Sequence, residues 1–295
     1  MKNTTKISQA ELKLLPREER IHNIKLSKWI NYTIAAGILK ELTELKKYPK
    51  SSRMPNILLV GDSNNGKTAL VEKFVSLNPS TIDEVTSEIN TPVLMVQAPP
   101  EPDERRFYNS ILEKLLAPYK TSEKLDVRQL RVKNLLQKLN LKILIIDEIH
   151  HVLAGAPTKQ RKFLNVLKFL SNELNISLVC VGTKDAFNAI QTDPQIANRF
   201  QPRVLKRWKF DLEFKRLLLS FETKLPLKNE SHLIEDGISR KILTLSEGLI
   251  GEVSTIIELS AIKAIEDGTE RITNEILNSI NYTPPSDRKK MIYKL

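Results

Sequence analysis

The chain has 295 residues, a formal net charge of +11 and an apolar fraction of 41%, enough for an ordinary hydrophobic core in one large or two small domains. A single cysteine, Cys180, excludes a disulfide framework, and no apolar run approaches the ~20 residues that a membrane span needs. Because the first residues contain no apolar signal core, we expect a soluble, cytoplasmic protein with no membrane partner.

The positive charge is concentrated at the two ends of the chain. Residues 1–50 carry a surplus of six basic residues and residues 281–295 a surplus of three, together nine of the eleven net charges. A basic surplus favours polyanionic partners, chiefly nucleic acid. A solubilising surface is the alternative, and charge alone leaves the two about equally open.

The predicted elements begin with helices and continue as alternating strands and helices. Residues 1–19 are predicted to be weakly ordered, and helical spacing from Arg20 to Lys47 predicts two helices divided at Gly37. The predicted strands are 56–61, 92–98, 142–147, 177–182 and 203–210, and the predicted helices are 67–77, 103–117, 125–139, 158–174 and 185–191. This alternation predicts a parallel, doubly wound α/β sheet.

After residue 210 only helical periodicity remains. We therefore predict four regions: a basic N-terminal helical extension at 1–50, an α/β domain at 51–210, a small helical domain at 211–282, and a flexible basic tail at 283–295. No internal repeat or low-complexity tract interrupts this order.

A glycine-rich motif follows the first predicted strand. Residues 61–68 read Gly-Asp-Ser-Asn-Asn-Gly-Lys-Thr, which is the P-loop pattern GxxxxGKT between a strand and a helix. Backbone N–H groups and a helix N-terminus in this arrangement bind phosphate oxygens. The predicted nucleotide-binding residues are Gly61, Asp62, Ser63, Asn64, Asn65, Gly66, Lys67, Thr68 and Ala69. Lys67 would reach the β- and γ-phosphates of ATP, and the Thr68 hydroxyl would bind Mg²⁺; an accidental glycine turn is the disfavoured alternative.

A second apolar strand, residues 142–147, ends in two acids. Its carboxyl end lies where ligands bind in open α/β sheets. We predict that Asp147 is a further nucleotide-site residue that holds Mg²⁺ and that Glu148 orients and polarises the attacking water, because phosphoryl transfer depends on positioning and charge. Such a run is weak evidence alone, but it is strong about eighty residues after a P-loop.

Two further residues are catalytic candidates. Thr183 ends another buried strand and would sense the γ-phosphate through a hydrogen bond; the alternative is that it caps the following helix. Arg199 precedes the last strand and would stabilise phosphoryl transfer in a neighbouring subunit; the alternative is a surface salt bridge.

His150 and His151 follow the two acids. We interpret them as a poor metal pair, because adjacent helical residues point in different directions and no further cysteine or histidine lies at zinc-ligand spacing. The order Asp-Glu-Ile-His resembles a helicase motif, but the chain has no room for a second nucleotide-binding lobe.

With these residues placed, the chain resembles the AAA+ ATPases of the TniB/TnsC group, which regulate DNA transposition, and more distantly the MuB-type regulators. The resemblance spans roughly residues 20–280 and rests on the P-loop, Ile143–Glu148, Thr183, Arg199-Phe200 and the Glu-Gly-Leu-Ile-Gly run at 247–251. It implies an AAA+ P-loop NTPase with a helical lid at 211–282. In this group, ATP-bound subunits assemble head to tail on duplex DNA, mark target DNA and recruit a transposase, which stimulates hydrolysis; a target-selection protein is a further candidate partner.

The resemblance also implies where DNA would be contacted. Family contacts map onto Arg105, Arg106, Lys120 and Thr121, whose basic members suit phosphates, whereas the neighbouring Glu104 does not. A solvated helix face is the alternative. One departure stands out: Glu252 occupies the position at which many AAA+ relatives carry a lid arginine that senses nucleotide, so we expect hydrolysis to be slow or partner-dependent.

These observations predict a sequence-independent, ATP-dependent DNA-binding ATPase that forms rings or filaments, selects target sites and activates a transposase. A helicase loader or initiator is the first alternative, although such proteins usually add a DNA-binding domain after the lid. An ATP-switched scaffold that does not act on DNA is the second, and no sensor or membrane segment for that role is visible.

Overall fold

The computed structural model describes residues 8–26, 28–191 and 197–292. Its contacts divide them into two compact units: residues Gly37–Leu205 form one, and the described residues up to Ala36 together with those from Lys206 onward form the other. The predicted N-terminal extension is therefore shared between the two units, with the first helices grouped with the C-terminal region.

The α/β unit is built on five parallel strands: β1 (Asn56–Gly61), β4 (Val93–Gln97), β5 (Ile143–Asp147), β6 (Ser177–Gly182) and β7 (Phe200–Leu205). Their order across the sheet is β4-β5-β6-β1-β7. Every residue of β1, β5 and β6 is buried, because helices cover both faces of a parallel sheet. The predicted doubly wound α/β fold is confirmed.

Helix α3 (Thr33–Lys47) precedes β1 and continues into this unit, which begins at Gly37. The helices that connect the strands of this unit are α4 (Lys67–Ser76), α5 (Glu104–Lys114), α6 (Leu125–Lys138), α7 (Pro157–Leu174) and α8 (Lys184–Gln191). Two small elements were not predicted: an antiparallel hairpin of β2 (Thr81–Ile82) and β3 (Ile89–Asn90), and a 3₁₀ helix at Ile149–Ala154 directly after β5.

The other unit is helical. It contains α1 (Gln9–Leu14), α2 (Arg17–Lys25), α9 (Leu212–Glu222), α10 (Asp236–Ser246), α11 (Ile250–Glu266), α12 (Asn274–Ser279) and α13 (Pro285–Ile292). A buried bidentate ion pair fixes α2 there: Arg20 Nη1 and Nη2 each lie 2.6 Å from a carboxylate oxygen of Glu270. Arg20 is only 4% exposed, so this pair is part of the core of the unit.

The prediction that residues 1–19 are weakly ordered is wrong for the described part, residues 8–19. Helix α1 begins with a capping box: the Ser8 hydroxyl accepts from Glu11 N, and the Glu11 carboxylate accepts from Ser8 N. Helix α2 begins directly after Pro16. Residues 1–7 lie outside the described residues.

Three predicted boundaries are also corrected. Gly37 lies inside α3, and the division falls between the end of α2 at Lys25 and the start of α3 at Thr33, because one exposed glycine costs only about 1 kcal/mol in a helix. The last strand is Phe200–Leu205 rather than 203–210, because it pairs with β1, which ends at Gly61. The predicted flexible tail contains helix α13; residues 293–295 lie outside the described part.

Candidate functional site

The loop between β1 and α4 has the backbone that its glycines predict. Gly66 adopts a left-handed conformation with φ 78° immediately before Lys67, the first residue of α4. A Cβ atom at Gly61 would lie 2.9 Å from the carbonyl oxygen of Leu205 in the neighbouring strand. Asn65 Nδ2 donates to that same oxygen over 2.8 Å. The loop is therefore anchored to β7 at a place where only glycine fits.

Lys67 extends back over this loop. Its ammonium group donates to the backbone oxygens of Gly61 at 3.1 Å and Asp62 at 2.7 Å, and the residue is 7% exposed. Burial lowers the pKa of Lys67, while the nearby carboxylates of Glu148, Asp147 and Asp62 act in the opposite direction. A buried cation whose hydrogen bonds go to carbonyl oxygens is well prepared to receive an anionic ligand.

The two acidic residues after β5 lie beside the loop. Thr68 Oγ1 donates to Asp147 Oδ2 over 2.7 Å, and the backbone N–H of Glu148 donates to Asp147 Oδ1 over 2.8 Å. Asp147 is 4% exposed. The arrangement offers a hydroxyl and a carboxylate, both hard oxygen donors of the kind that Mg²⁺ prefers.

Glu148 has an unusual backbone. Its φ and ψ of 55° and 36° are left-handed, and it directly precedes the 3₁₀ helix Ile149–Ala154. This turn brings Glu148 Oε2 to 3.2 Å from His150 Nδ1. The rings of His150 and His151 also lie close together, with centroids 4.8 Å apart. The expectation that the two histidines point apart is therefore wrong, because it assumed regular α-helical spacing.

Thr183 lies at the carboxyl end of β6, the strand between β5 and β1. Its Oγ1 is buried and has no hydrogen-bond partner within the described residues. The side chain therefore does not cap α8, which was the alternative interpretation; the Thr183 backbone oxygen accepts from Ala186 N at 3.0 Å. A buried hydroxyl without a partner at this edge is available to a ligand.

Arg199 lies at the other end of the sheet. Its backbone oxygen accepts from Asn56 N, the first residue of β1, over 3.1 Å, whereas the P-loop begins at Gly61, the last residue of that strand. Five residue steps of a parallel strand span about 16 Å. The Arg199 side chain donates to Asn172 Oδ1 at 2.6 Å on the surface, so it does not belong to the P-loop site of its own chain.

The four residues predicted to contact DNA are exposed and adjacent. Arg105 Nη1 donates to the backbone oxygens of Thr121 at 3.2 Å and Glu123 at 2.9 Å, so the start of α5 and the loop before α6 form one basic surface. Arg106 and Lys120 contribute the other two cations.

Arg128 organises this surface and was not anticipated from the sequence. It is 1% exposed, and its guanidinium donates to Asn109 Oδ1 at 2.6 Å and to the backbone oxygen of Lys120 at 2.5 Å. It also lies 3.3 Å from a carboxylate oxygen of Glu123. An arginine in a helical pattern carries no sequence signal that distinguishes such a buried anchor from a surface charge.

The comparisons with known proteins agree with this geometry. The family model described as Bacterial TniB protein matches residues 20–210. The chain belongs to the TniB family. Among curated proteins, the comparison found no match.

Solved structures share the fold of this TniB-family chain. The ORC2 protein of Aeropyrum pernix, in ADPNP-ADP complexes, superposes with a TM-score of 0.63 at 13% identity, over 87% of this chain and 69% of that one. The A. pernix ORC1 protein in complex with DNA gives 0.61 at 17% identity, over 91% and 68%. Cdc6p from Pyrobaculum aerophilum gives 0.60 at 18% identity, over 86% and 68%. The chain thus has the AAA+ P-loop NTPase fold.

Glu252 has two partners within the helical unit of this TniB-family chain. It is 5% exposed and accepts from Arg288 Nη1 at 2.9 Å, from Arg288 Nη2 at 2.7 Å and from the Tyr282 hydroxyl at 2.5 Å. Burial, followed by the hydrogen bond to Glu252, raises the pKa of the Tyr282 phenol. The Glu252 carboxylate therefore holds helix α13 against α11.

Within the described residues, no helix is both long enough and apolar enough to cross a membrane.

Proposed function

We propose that this TniB-family protein is an ATP-dependent DNA-binding ATPase that oligomerises on duplex DNA, selects target sites, and recruits and activates a transposase. The observation that carries the proposal is the P-loop with Lys67 buried over it and Thr68 bonded to Asp147 beside Glu148. A glycine loop, a lysine, a hydroxyl and two acids in this order form a site for a nucleoside triphosphate.

Residues 61–69 would bind the phosphates of ATP. Lys67 would leave the carbonyl oxygens of Gly61 and Asp62 and bind the β- and γ-phosphates. The phosphates carry full negative charges, so they bind the ammonium group more strongly than carbonyl dipoles do. Thr68 and Asp147 would hold Mg²⁺, which neutralises the charge that develops on the phosphates. The buried Thr183 hydroxyl would donate to the γ-phosphate.

Glu148 would orient and polarise the attacking water. Its carboxylate lies 3.2 Å from His150 Nδ1 without a hydrogen bond to it, so the carboxylate oxygens can accept a hydrogen bond from water. Hydrolysis would also need a cation to stabilise the transferring phosphoryl group. We assign that role to Arg199 of a neighbouring subunit, since it lies about 16 Å from its own P-loop and on the surface.

The exposed basic surface at Arg105, Arg106, Lys120 and Thr121 would bind DNA phosphates. The A. pernix ORC1 protein, a structural neighbour, was solved in complex with DNA. Membership of the TniB family supports a role in transposition. Functionally, the α/β unit would bind nucleotide, and the helical unit would act as its lid.

Negative-stain electron microscopy tests this proposal. With a non-hydrolysable ATP analogue and duplex DNA, we expect rings or filaments along the DNA, and none with Lys67→Ala. A helicase-loader role predicts binding to a helicase instead, and a scaffold that does not act on DNA predicts assemblies without DNA. Transposase stimulation of the ATPase rate separates the proposed role from both.

A further inference from the structure

Three potential metal ligands meet immediately after β5. The ligand atoms of Glu148, His150 and His151 all lie within 4.8 Å of one another. The left-handed backbone of Glu148 and the 3₁₀ helix that follows produce this cluster, which regular α-helical geometry would disperse. The three residues are half-buried.

Both imidazole rings have an unused nitrogen. The Nδ1 atoms of His150 and His151 are buried and make no hydrogen bond within the described residues. His150 Nδ1 lies 3.2 Å from Glu148 Oε2, but the two groups are not aligned as donor and acceptor. Leaving a buried polar atom unpaired costs about 1–3 kcal/mol. A bound ion is one explanation for such atoms in a native protein, beside a catalytic role or stored strain.

The distances suit a small, borderline-soft cation. Zinc binds imidazole nitrogen and carboxylate oxygen at about 2.0–2.2 Å in tetrahedral sites, which places two ligand atoms about 3.3 Å apart. The separation of 3.2 Å between Glu148 Oε2 and His150 Nδ1 already matches that spacing. The widest separation in the cluster, 4.8 Å, requires an inward movement of about 1.5 Å.

The ligand types also distinguish this cluster from the neighbouring Thr68 and Asp147. Imidazole favours zinc, copper and nickel, whereas Mg²⁺ prefers oxygen ligands. Two nitrogen ligands and one carboxylate occupy three positions of a tetrahedral zinc site and leave one open. Zn²⁺ and Mg²⁺ would therefore bind at different sites, although these are adjacent, because the two ions prefer different ligand atoms.

We propose that Glu148, His150 and His151 bind Zn²⁺, and that the bound ion arrests ATP hydrolysis while ATP binding persists. A carboxylate that coordinates zinc is neither free to turn toward water nor basic enough to polarise it. Zinc would thereby keep ATP-bound assemblies on DNA. The binding site stands on its own geometry; the arrest rests on the function proposed above for Glu148.

The four histidines of the chain provide a matched control. His22 and His232 lie outside the cluster, so His22→Asn/His232→Asn removes as many imidazoles as His150→Asn/His151→Asn. Zinc binding is measured calorimetrically on the full, nucleotide-free chain. We expect one zinc ion for the wild type and the control, and an affinity lowered by more than about a hundredfold for His150→Asn/His151→Asn, since even outer-shell changes cost 10–100-fold. Equal affinities in the two double variants would overturn the site.

A second measurement tests the arrest. ATP hydrolysis is followed in excess Mg²⁺ with and without zinc, and each variant is normalised to its own zinc-free rate. We expect zinc to slow the wild type and the control at least about tenfold, reversibly on chelation, and to leave His150→Asn/His151→Asn unchanged. Equal inhibition of all three proteins would place the ion at the Mg²⁺ site and overturn the arrest. A wild type that binds zinc but never hydrolyses ATP would instead contradict the proposed function.

Discussion

The Thr68 hydroxyl donates to the Asp147 carboxylate over 2.7 Å, although 79 positions separate the two residues in the chain. This bond joins the start of α4 to the end of β5 and so aligns the P-loop with the acidic strand end. The neighbouring Lys67 and Glu148 take their positions from the same two elements. The chemistry proposed for the site therefore depends on the sheet order, which places β5 and β1 on either side of β6.

The first prediction concerns nucleotide binding. Lys67→Ala should abolish ATP binding and, with it, ATP-dependent DNA binding, because Lys67 is the one Lys or Arg in residues 61–69. Lys73→Ala, in the same helix α4, removes an equal charge and should bind ATP normally. Calorimetry with ATP and Mg²⁺ compares the two variants. Retained ATP affinity in Lys67→Ala would refute the assignment of the P-loop.

The second prediction concerns hydrolysis. Glu148→Gln keeps the size of the side chain but not its negative charge, so ATP should still bind while turnover falls about 10²–10⁴-fold. DNA complexes should live longer, since hydrolysis would no longer disassemble them. Single-turnover hydrolysis and DNA dissociation rates provide the measurement. Wild-type turnover in Glu148→Gln would show that another group activates the water.

The elements of this site could be predicted because a pattern of consecutive residues specifies each of them. The run from Asn56 to Val60, the glycines at 61 and 66, and the apolar run before Asp147 are local patterns with defined strand and helix periods. Parallel pairing then follows, because the alternation of strands and helices leaves few other topologies.

Other features depend on contacts between distant residues, or on one backbone angle, and could not be predicted. The meeting of Glu148 with His150 and His151 requires the left-handed φ of Glu148. Burial of Glu252 requires Arg288, 36 positions away, on a segment that the sequence predicted to be flexible. The capping box at Ser8 and Glu11 is different, since its serine-to-glutamate spacing is a local pattern that indicates the start of a helix.

The third prediction concerns assembly. Arg199→Ala should leave ATP binding by the monomer nearly intact, because the side chain lies far from its own P-loop. It should abolish ATP-dependent oligomers and lower turnover about 10³–10⁵-fold, as loss of an arginine supplied in trans does. Asn172→Ala removes the partner of Arg199 within the chain and should assemble normally. Light scattering measures the assembly of both variants. Normal assembly of Arg199→Ala would show that Arg199 is a surface residue with no role between subunits.

The fourth prediction concerns acid stability. Arg20 holds the pKa of Glu270 below its usual range. Ionised Glu270 therefore stabilises the native state above about pH 4.3, and this contribution is lost as the pH falls through the lower pKa of the folded state. Arg20→Ala should reduce the free energy of unfolding at pH 7 by about 3 kcal/mol and flatten the acid limb of the stability curve.

Urea unfolding at pH 7 and pH 3 measures both effects. Arg216→Ala is the control, because its partner Glu213 forms an exposed pair that contributes at most about 1 kcal/mol. If Arg20→Ala and the wild type lost equal stability between the two pH values, the pair would not be the source of the acid sensitivity.

The last prediction concerns DNA. Contacts confined to phosphates make affinity nearly independent of sequence and steeply dependent on salt, with about 0.9 added to the log–log slope for each phosphate neutralised on B-DNA. Arg106→Ala/Lys120→Ala should therefore weaken two unrelated duplexes alike and reduce the slope by about 1.8 per subunit, without changing ATP binding. Arg105 is left unchanged because its side chain also donates to the backbone oxygen of Thr121.

The control variant is Arg161→Ala/Lys162→Ala, on the exposed side of α7. It removes the same charge and should keep the wild-type slope. An unchanged slope in Arg106→Ala/Lys120→Ala would place the DNA on another surface, with the basic N-terminal helices the next to test.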